Sequence, residues 1–200
     1  MTNQVMDYQF SNTNKWSTRQ LVIMALFCAI GVVLSFIETP PLFAFLRYDA
    51  SNAPALVTGF AYGPVSGVVV GVIGAVIHGV IAADFSGAIM NILVVSAQVI
   101  PAALIYKKMH SWKGAIIGLV VGSFISALAA ILGNLVITPL FLAGPETSYD
   151  QAFQMVLGMI VPILTPFNLV KASLNSIIAI AVYKAISNLI TPKKKQVKGK

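Results

Sequence analysis

The stretch GFAYGPVSG, residues 59–67, determines how many helices this chain forms. It lies inside an apolar run from residue 53 to residue 82, which is longer than the roughly 20 residues needed to cross a bilayer. Proline lacks a backbone N–H and disrupts a continuing helix, so a Gly-Pro pair is typical of a turn or a helix restart. The sequence therefore predicts two helices that meet at Gly63 and Pro64.

Apolar runs of membrane-spanning length also occupy the rest of the chain. They cover residues 21–38, 88–106, 114–142 and 155–189. Hydrophobic residues make up 58% of the chain and charged residues 10%, which is too apolar a composition for a soluble domain. We therefore predict an all-α integral membrane protein with six transmembrane helices. Its predicted parts are a cytoplasmic N-terminal segment (1–18), the six-helix membrane domain (19–190) and a basic cytoplasmic tail (191–200).

The charged residues indicate which way the chain is inserted, because cytoplasmic loops collect Lys and Arg near membrane ends. With the N-terminus inside, the cytoplasmic side receives the tail and Lys15, Arg19, Lys107, Lys108, Lys113 and Lys184. The outer side then holds Arg47 and the acidic residues Glu38, Asp49, Asp84, Glu146 and Asp150. We expect both termini in the cytoplasm. The net charge of +7 then indicates contact with anionic lipid of the inner leaflet, not with nucleic acid.

The stretch TPFNLVKASLN, residues 165–175, places polar side chains inside the last apolar run. Asn168, Lys171 and Asn175 share one helix face because they are three, four and seven residues apart. A lysine at membrane depth costs roughly 2.5–3.5 kcal/mol, so Lys171 needs a polar partner or a cavity. One interpretation is an interhelical hydrogen-bond cluster with Asn134, or with Asn91 and Gln98. The other is a solute site, in which the lysine cation and the amides suit a heterocyclic or amide-bearing solute.

No motif in the chain predicts catalysis or a bound metal. HExxH, GxSxG, the Walker A loop and CxxC are all missing from the sequence. His78 is predicted to pack at a helix end, and the single cysteine, Cys28, is predicted to be a small packing residue. We therefore expect a protein that is not an enzyme, that has no metal or cofactor, and that needs a partner to move a solute.

Small residues recur every four positions in several of the apolar runs. Such spacing allows two helix backbones to approach closely in lipid. Gly67 and Gly71 in one run, and Gly118 and Gly122 in another, are predicted to serve packing inside the chain.

Several motifs, taken in order, resemble a known family. They are TRQLVIMALFCAIGVVLSFIE, LRYDASNAPALVTGFAYGPVSGVVVGVIGAVIHGV, IPAALIYKK, GNLVITPLF and TPFNLVKASLNSIIAIAVYK. Together they resemble the S component of energy-coupling factor (ECF) vitamin transporters over roughly residues 17–190, with the riboflavin-specific branch most similar. The resemblance implies a multi-pass protein of a bacterial-type cell membrane that captures a vitamin from outside. It also implies partners, namely a transmembrane scaffold protein and two ATP-binding-cassette ATPases.

The resemblance also suggests roles for individual residues. Riboflavin binders of the family have a PFN-x-x-K segment that contacts the ligand, and Asn168 and Lys171 match its Asn and Lys. An Asn before a Pro-Leu pair matches Asn134, and an alanine pair that docks onto the scaffold protein matches Ala25 and Ala29. Our candidate substrate-binding residues are Asn168, Lys171, Asn134, Asn91, Glu38 and Asn175.

Other positions depart from the riboflavin pattern and leave alternatives open. RYDASNAPAL has Asn52 in place of an expected acid, and IGAVIHGVIAADFSGA lacks a Lys-Asn pair. Riboflavin is the first prediction, and pantothenate, hydroxymethylpyrimidine or a pyridoxine-type vitamin are the alternatives. A hypothesis of another class is a membrane scaffold protein without solute, and an autonomous secondary carrier ranks last because no inverted repeat is evident. The outer loops 39–52 and 82–88 are predicted to cover the vitamin.

Overall fold

A computed structural model describes residues 16–42 and 46–190, which fold into helices joined by short connections. The predicted all-α membrane architecture is confirmed for these residues. The helices are α1 (Thr18–Ser35), α2 (Asn52–Tyr62), α3 (Pro64–Ala82), α4 (Phe85–Met109), α5 (Trp112–Leu142), α6 (Tyr149–Met159) and α7 (Thr165–Ile190). A five-residue π-helix, Ile160–Leu164, joins α6 to α7.

The predicted break at Gly63 and Pro64 is confirmed. Gly63 ends α2 with a φ of 98°, a backbone conformation that glycine adopts without a steric penalty. Pro64 begins α3, where its missing N–H is not needed by the helix.

Helix α2 begins at Asn52, one residue before the predicted run, and ends at the predicted break, so it is too short to cross the bilayer. It has 11 residues and is therefore about 16 Å long, roughly half the thickness of the hydrocarbon core. Within the described residues, five segments are long and apolar enough to cross a membrane, and α2 is not among them. The count of six crossings and the cytoplasmic position of both termini stay predictions.

Glycines bring the helices into close contact, as the four-residue spacing predicted. A Cβ at Gly67 would lie 2.6 Å from the backbone oxygen of Ala55 in α2. Cβ atoms at Gly118 and Gly122 would lie equally close to backbone oxygens of α4. These glycines therefore serve packing inside the chain. Cys28 is also buried, in agreement with its predicted packing role.

Two polar contacts gather helix ends from distant parts of the sequence. Arg19 at the start of α1 donates to the backbone oxygen of Leu189 at 2.7 Å, and the Tyr62 hydroxyl donates to the oxygen of Ile190 at 3.0 Å. The start of α1 and the ends of α2 and α7 therefore share one end of the bundle. The predicted tail 191–200 and residues 1–15, with Lys15, lie outside the described residues.

Candidate functional site

A cavity of about 690 Å³ opens at the other end of the bundle. Its volume lies within the range of small-molecule sites. Aromatic and aliphatic side chains form much of its wall, among them Phe36, Met90, Val94, Phe141, Leu142 and Phe167. Polar and charged side chains complete it, among them Ser35, Glu38, Arg47, Asp49, His78, Asp84, Asn91, Asn134, Thr138, Asn168 and Lys171.

Lys171 meets a partner that the sequence did not suggest. Its Nζ lies 2.7 Å from Oδ2 of Asp49, and the two side chains are 13% and 9% exposed. The sequence predicts Asp49 on the outer side but gives no sign of its burial, which arises because the loop before α2 enters the bundle. The need of Lys171 for a counter-ion was the available signal, but 122 residues separate it from Asp49.

Further contacts hold the Asp49 carboxylate in its charged form. Its Oδ1 accepts from the backbone N–H of Ser51 at 2.9 Å and also from the Ser51 hydroxyl. Burial raises the pKa of Asp49, but the attraction of Lys171 and the hydrogen bonds from Lys171 and Ser51 outweigh it. The pKa of Asp49 is therefore lowered from its ordinary value.

Asn175 is fully buried and is not among the residues that line the cavity. Its amide nitrogen donates to the backbone oxygens of Asp49 and Lys171, each at 3.1 Å. Its Oδ1 accepts from the backbone N–H of Ala53 at 3.1 Å, a donor that the backbone oxygen of Ala50 shares at 3.1 Å. Asn175 therefore fixes the loop and α2 against α7. Unlike the other candidate residues, it does not line the cavity.

Asn134 and Asn168 both line the cavity, on α5 and α7. Each uses its amide nitrogen to donate to the carbonyl four residues earlier, at 2.7 Å for Asn134 and 2.8 Å for Asn168. The Thr138 hydroxyl donates to Oδ1 of Asn134 at 2.8 Å. Since an amide group offers two donors and one acceptor oxygen, both side chains keep hydrogen-bonding capacity for a ligand.

The remaining candidates, Asn91 and Glu38, also line the cavity. Glu38 forms an ion pair with Arg47, and both side chains are partly exposed. The structure thus brings together Asn168, Lys171, Asn134, Asn91 and Glu38 around one cavity. It does not form the alternative cluster of Lys171 with Gln98, which instead donates to the Ala172 oxygen and the Ser176 hydroxyl.

Ser35 and His78 also line the cavity and were not among the residues predicted from the sequence. Their hydrogen bond joins α1 to α3 beside the cavity, with 2.7 Å between the Ser35 Oγ and the His78 Nδ1. A lone histidine near a helix end was interpreted as packing. The departure from the family pattern around this position was the signal that could have identified it.

Ala25 and Ala29 lie on the opposite side of α1 from its packed face. Both are exposed, whereas Met24, Phe27 and Cys28 on the same helix are buried. An exposed pair of small side chains one turn apart leaves the α1 backbone accessible to another helix.

Comparison with known proteins identifies the family and the fold. The family model for the ECF transporter, substrate-specific component, matches residues 19–183. The riboflavin transporter RibU of Staphylococcus aureus (strain TCH60) is 28% identical over 181 residues, which is 88% of this chain and 95% of the relative. The riboflavin transporter FmnP of Bacillus subtilis (strain 168) is 27% identical over 163 residues, 76% of this chain and 84% of the relative.

Two solved structures share the fold. The S component of a bacterial ECF transporter superposes with a TM-score of 0.70 at 27% identity, over 86% of this chain and 97% of that one. ThiT from Listeria monocytogenes has a TM-score of 0.60 at 18% identity, over 86% and 96% of the two chains. The second likeness concerns the fold alone.

Proposed function

We propose, because the chain belongs to the family of ECF transporter substrate-specific components, that it captures riboflavin and passes it to a coupling module. As a member of this family it is a multi-pass transport protein of the cell membrane and not an enzyme. Two relatives named as riboflavin transporters support the choice of vitamin. The observation on which the proposal rests is the cavity of about 690 Å³ that joins apolar walls to amide and charged groups.

The chemistry of riboflavin suits such a lining. Its flat aromatic ring system needs apolar and aromatic walls, and its imide edge and ribityl chain offer carbonyl, N–H and hydroxyl groups. Among the proposed contacts, Lys171 can donate to a ligand oxygen, because an ammonium group has three protons and only two acceptors within the described residues, Asp49 at 2.7 Å and the Arg47 backbone oxygen at 3.5 Å, take them up. Asn134, Asn168 and Asn91 supply donors and acceptors.

Charge pairing in the cavity favours a neutral ligand. Lys171 is paired with Asp49 and Arg47 with Glu38, so the two lining cations are already compensated. An anion such as pantothenate would find no unpaired cation among the described lining residues and would meet the carboxylate of Asp84. Riboflavin, hydroxymethylpyrimidine and pyridoxine are neutral, and of these the riboflavin assignment has the support of the named relatives.

Purification of the full chain tests the vitamin directly. We expect a flavin to co-purify, visible by absorbance and identified by mass spectrometry after release. Recovery of another vitamin, or binding of none in calorimetry with added riboflavin, would contradict the proposal.

Substitution of Lys171 tests the site. Lys171→Ala should weaken riboflavin binding at least tenfold, about 1.4 kcal/mol. Lys184→Ala, on the same helix but beside Trp112 at the other end, is the matched control and should leave affinity unchanged. Lys171→Ala also leaves the Asp49 carboxylate unpaired. The double variant Asp49→Asn with Lys171→Met has no such unpaired charge and should show the same loss of riboflavin affinity. Wild-type affinity in both Lys171 variants would remove Lys171 from the site.

The chain associates with the ECF module of its family. We propose that the module consists of a transmembrane scaffold protein and two ATP-binding-cassette ATPases, and that Ala25 and Ala29 contact the scaffold. Replacement of both alanines by Trp should leave riboflavin binding intact and abolish ATP-dependent uptake by the assembled transporter. The matched control is the exposed α5 pair Ile116→Trp and Val120→Trp. Normal uptake by the alanine variant, or equal loss in the control, would place the docking surface elsewhere.

A further inference from the structure

The hydrogen bonds of Ser35 determine where the proton of the His78 ring lies. The Ser35 hydroxyl donates to the backbone oxygen of Val32 at 2.7 Å, and a serine hydroxyl has only one proton. The contact of 2.7 Å between Ser35 Oγ and His78 Nδ1 is then a hydrogen bond only if the ring donates it. The two contacts together assign a proton to Nδ1 of His78.

This assignment defines what the other ring nitrogen offers. In a neutral imidazole with its proton on Nδ1, Nε2 is a hydrogen-bond acceptor. Nε2 of His78 makes no hydrogen bond to another residue in 16–42 or 46–190, and it is not among the buried unpaired polar atoms of that part of the chain. His78 lines the cavity and its Nδ1 is taken by Ser35, so Nε2 is the ring nitrogen left for a bound molecule.

The ring is also held in place by its surroundings. Its Nδ1 is tied to α1 through Ser35, and its face lies against Phe36, with 4.8 Å between the ring centroids. Fixed orientation lowers the entropic cost of forming a hydrogen bond to a ligand.

We propose that His78 is a specificity-determining residue whose Nε2 accepts a hydrogen bond from an O–H or N–H donor of the vitamin, and that Ser35 positions it. The inference rests on the proposed function, since riboflavin offers donors of both kinds, the ribityl hydroxyls and the imide N–H. A molecule of similar shape without the donor would leave Nε2 without its hydrogen bond, and such a mismatch gives discrimination between ligands.

Three flavins test the proposal by calorimetry on the purified full chain. Riboflavin has both donor types, lumiflavin has a methyl group in place of the ribityl chain, and 3-methylriboflavin lacks the imide N–H. His78→Asn keeps a donor near Ser35 but removes the acceptor at the ε position. His110→Asn is the matched control, because His110 lies in the α4–α5 connection and does not line the cavity.

We expect His78→Asn to weaken riboflavin binding about tenfold and His110→Asn to change it less than twofold. The effect of His78→Asn should disappear for one analogue. Loss of the effect with lumiflavin identifies a ribityl hydroxyl as the donor, and loss with 3-methylriboflavin identifies the imide N–H.

Other results would overturn the inference. If wild-type protein binds riboflavin and His78→Asn changes the affinity for all three flavins by the same factor, His78 acts through packing and not as an acceptor. If His78→Asn does not fold, Ser35→Ala decides, because it keeps the ring but releases the proton from Nδ1. Ser35→Ala should then alter the discrimination among the three flavins, and unchanged ratios would reject the proposal. If wild-type protein binds none of them, the proposed function itself fails.

Discussion

The ion pair between Lys171 and Asp49 should respond very differently to single and double substitution. Lys171→Met and Asp49→Asn each remove one charge and leave the other buried, whereas the double variant removes both. Breaking a buried pair by removing one partner typically costs ~3–5 kcal/mol, and replacing both partners by neutral groups is often close to neutral. We expect the two single variants to be strongly destabilised and the double variant to recover most of the loss.

The structure sets the size of the effect. At the observed N–O distance of 2.7 Å, the attraction is roughly 6 kcal/mol for an effective dielectric constant of about 20. In Lys171→Met the unpaired carboxylate can escape by binding a proton. Protonation of a carboxylate with an ordinary pKa of about 3.9 costs about 4 kcal/mol at pH 7. The unpaired carboxylate of Lys171→Met therefore cannot destabilise the fold by more than this amount. Each single variant should therefore lose ~3–4 kcal/mol, or roughly 10 °C in its unfolding midpoint.

The chain supplies its own reporter for the assay. Cys28 is its single cysteine and is buried, so a thiol-reactive dye added to ligand-free protein should report unfolding on heating. Lowering the pH from 7.5 to 5 should partly restore the stability of Lys171→Met. Without its lysine partner the buried Asp49 carboxylate has a raised pKa, so the cost of burying its charge is present above that pKa and is relieved below it. Asp49→Asn has no such carboxylate and should show no gain. If either single variant melts within 2 °C of wild type, or the double variant melts no higher than the singles, the reasoning is refuted.

Three further predictions use the same melting assay. Gly67→Ala should cost ~1–3 kcal/mol because its Cβ would lie 2.6 Å from a backbone oxygen of α2. The control Gly74→Ala, whose Cβ would have no atom of the described residues within 4 Å, should be neutral or slightly stabilising. Equal unfolding midpoints for the two variants would contradict the close approach at Gly67. Asn175→Ala should cost ~2–4 kcal/mol because it removes the buried hydrogen bonds to the Ala53 N–H and the Asp49 backbone oxygen, and an unchanged midpoint would disprove its anchoring role. Burial, only partly opposed by a backbone hydrogen bond, lowers the pKa of His110, so the unfolded chain binds more protons as the pH falls through about 6.5. Wild-type protein should then lose more stability than His110→Asn between pH 7.5 and 5.5, and parallel losses would count against this.

Local chemistry made much of the fold predictable. Gly63 and Pro64 end one helix and begin the next for reasons that lie in their own backbone conformations, and glycines four residues apart indicated the close helix contacts found at Gly118 and Gly122. The polar face of α7 was predictable for a similar reason, since a lysine in an apolar run requires a partner. The identity of that partner was not predictable, because Asp49 reaches it only through the path of a loop. The same holds for His78, whose role depends on a contact with Ser35 across 43 residues of sequence.

The short length of α2 explains why α7 has three polar residues on one face, at intervals of about one turn. Asn175 binds the backbone on both sides of the start of α2, so α2 begins about 22 Å along α7 from Ile190. The chain before it therefore lies within the bundle, where unpaired backbone groups and charges are costly. One turn further along α7, Lys171 neutralises the Asp49 carboxylate that this loop carries inward, and one turn beyond that Asn168 faces the cavity. Along the polar face of α7, Asn175 anchors the start of α2, Lys171 is the counter-ion of Asp49, and Asn168 is the proposed ligand contact. Because Lys171 belongs to both the loop and the cavity, a ligand that engages it should also stabilise the loop against α7.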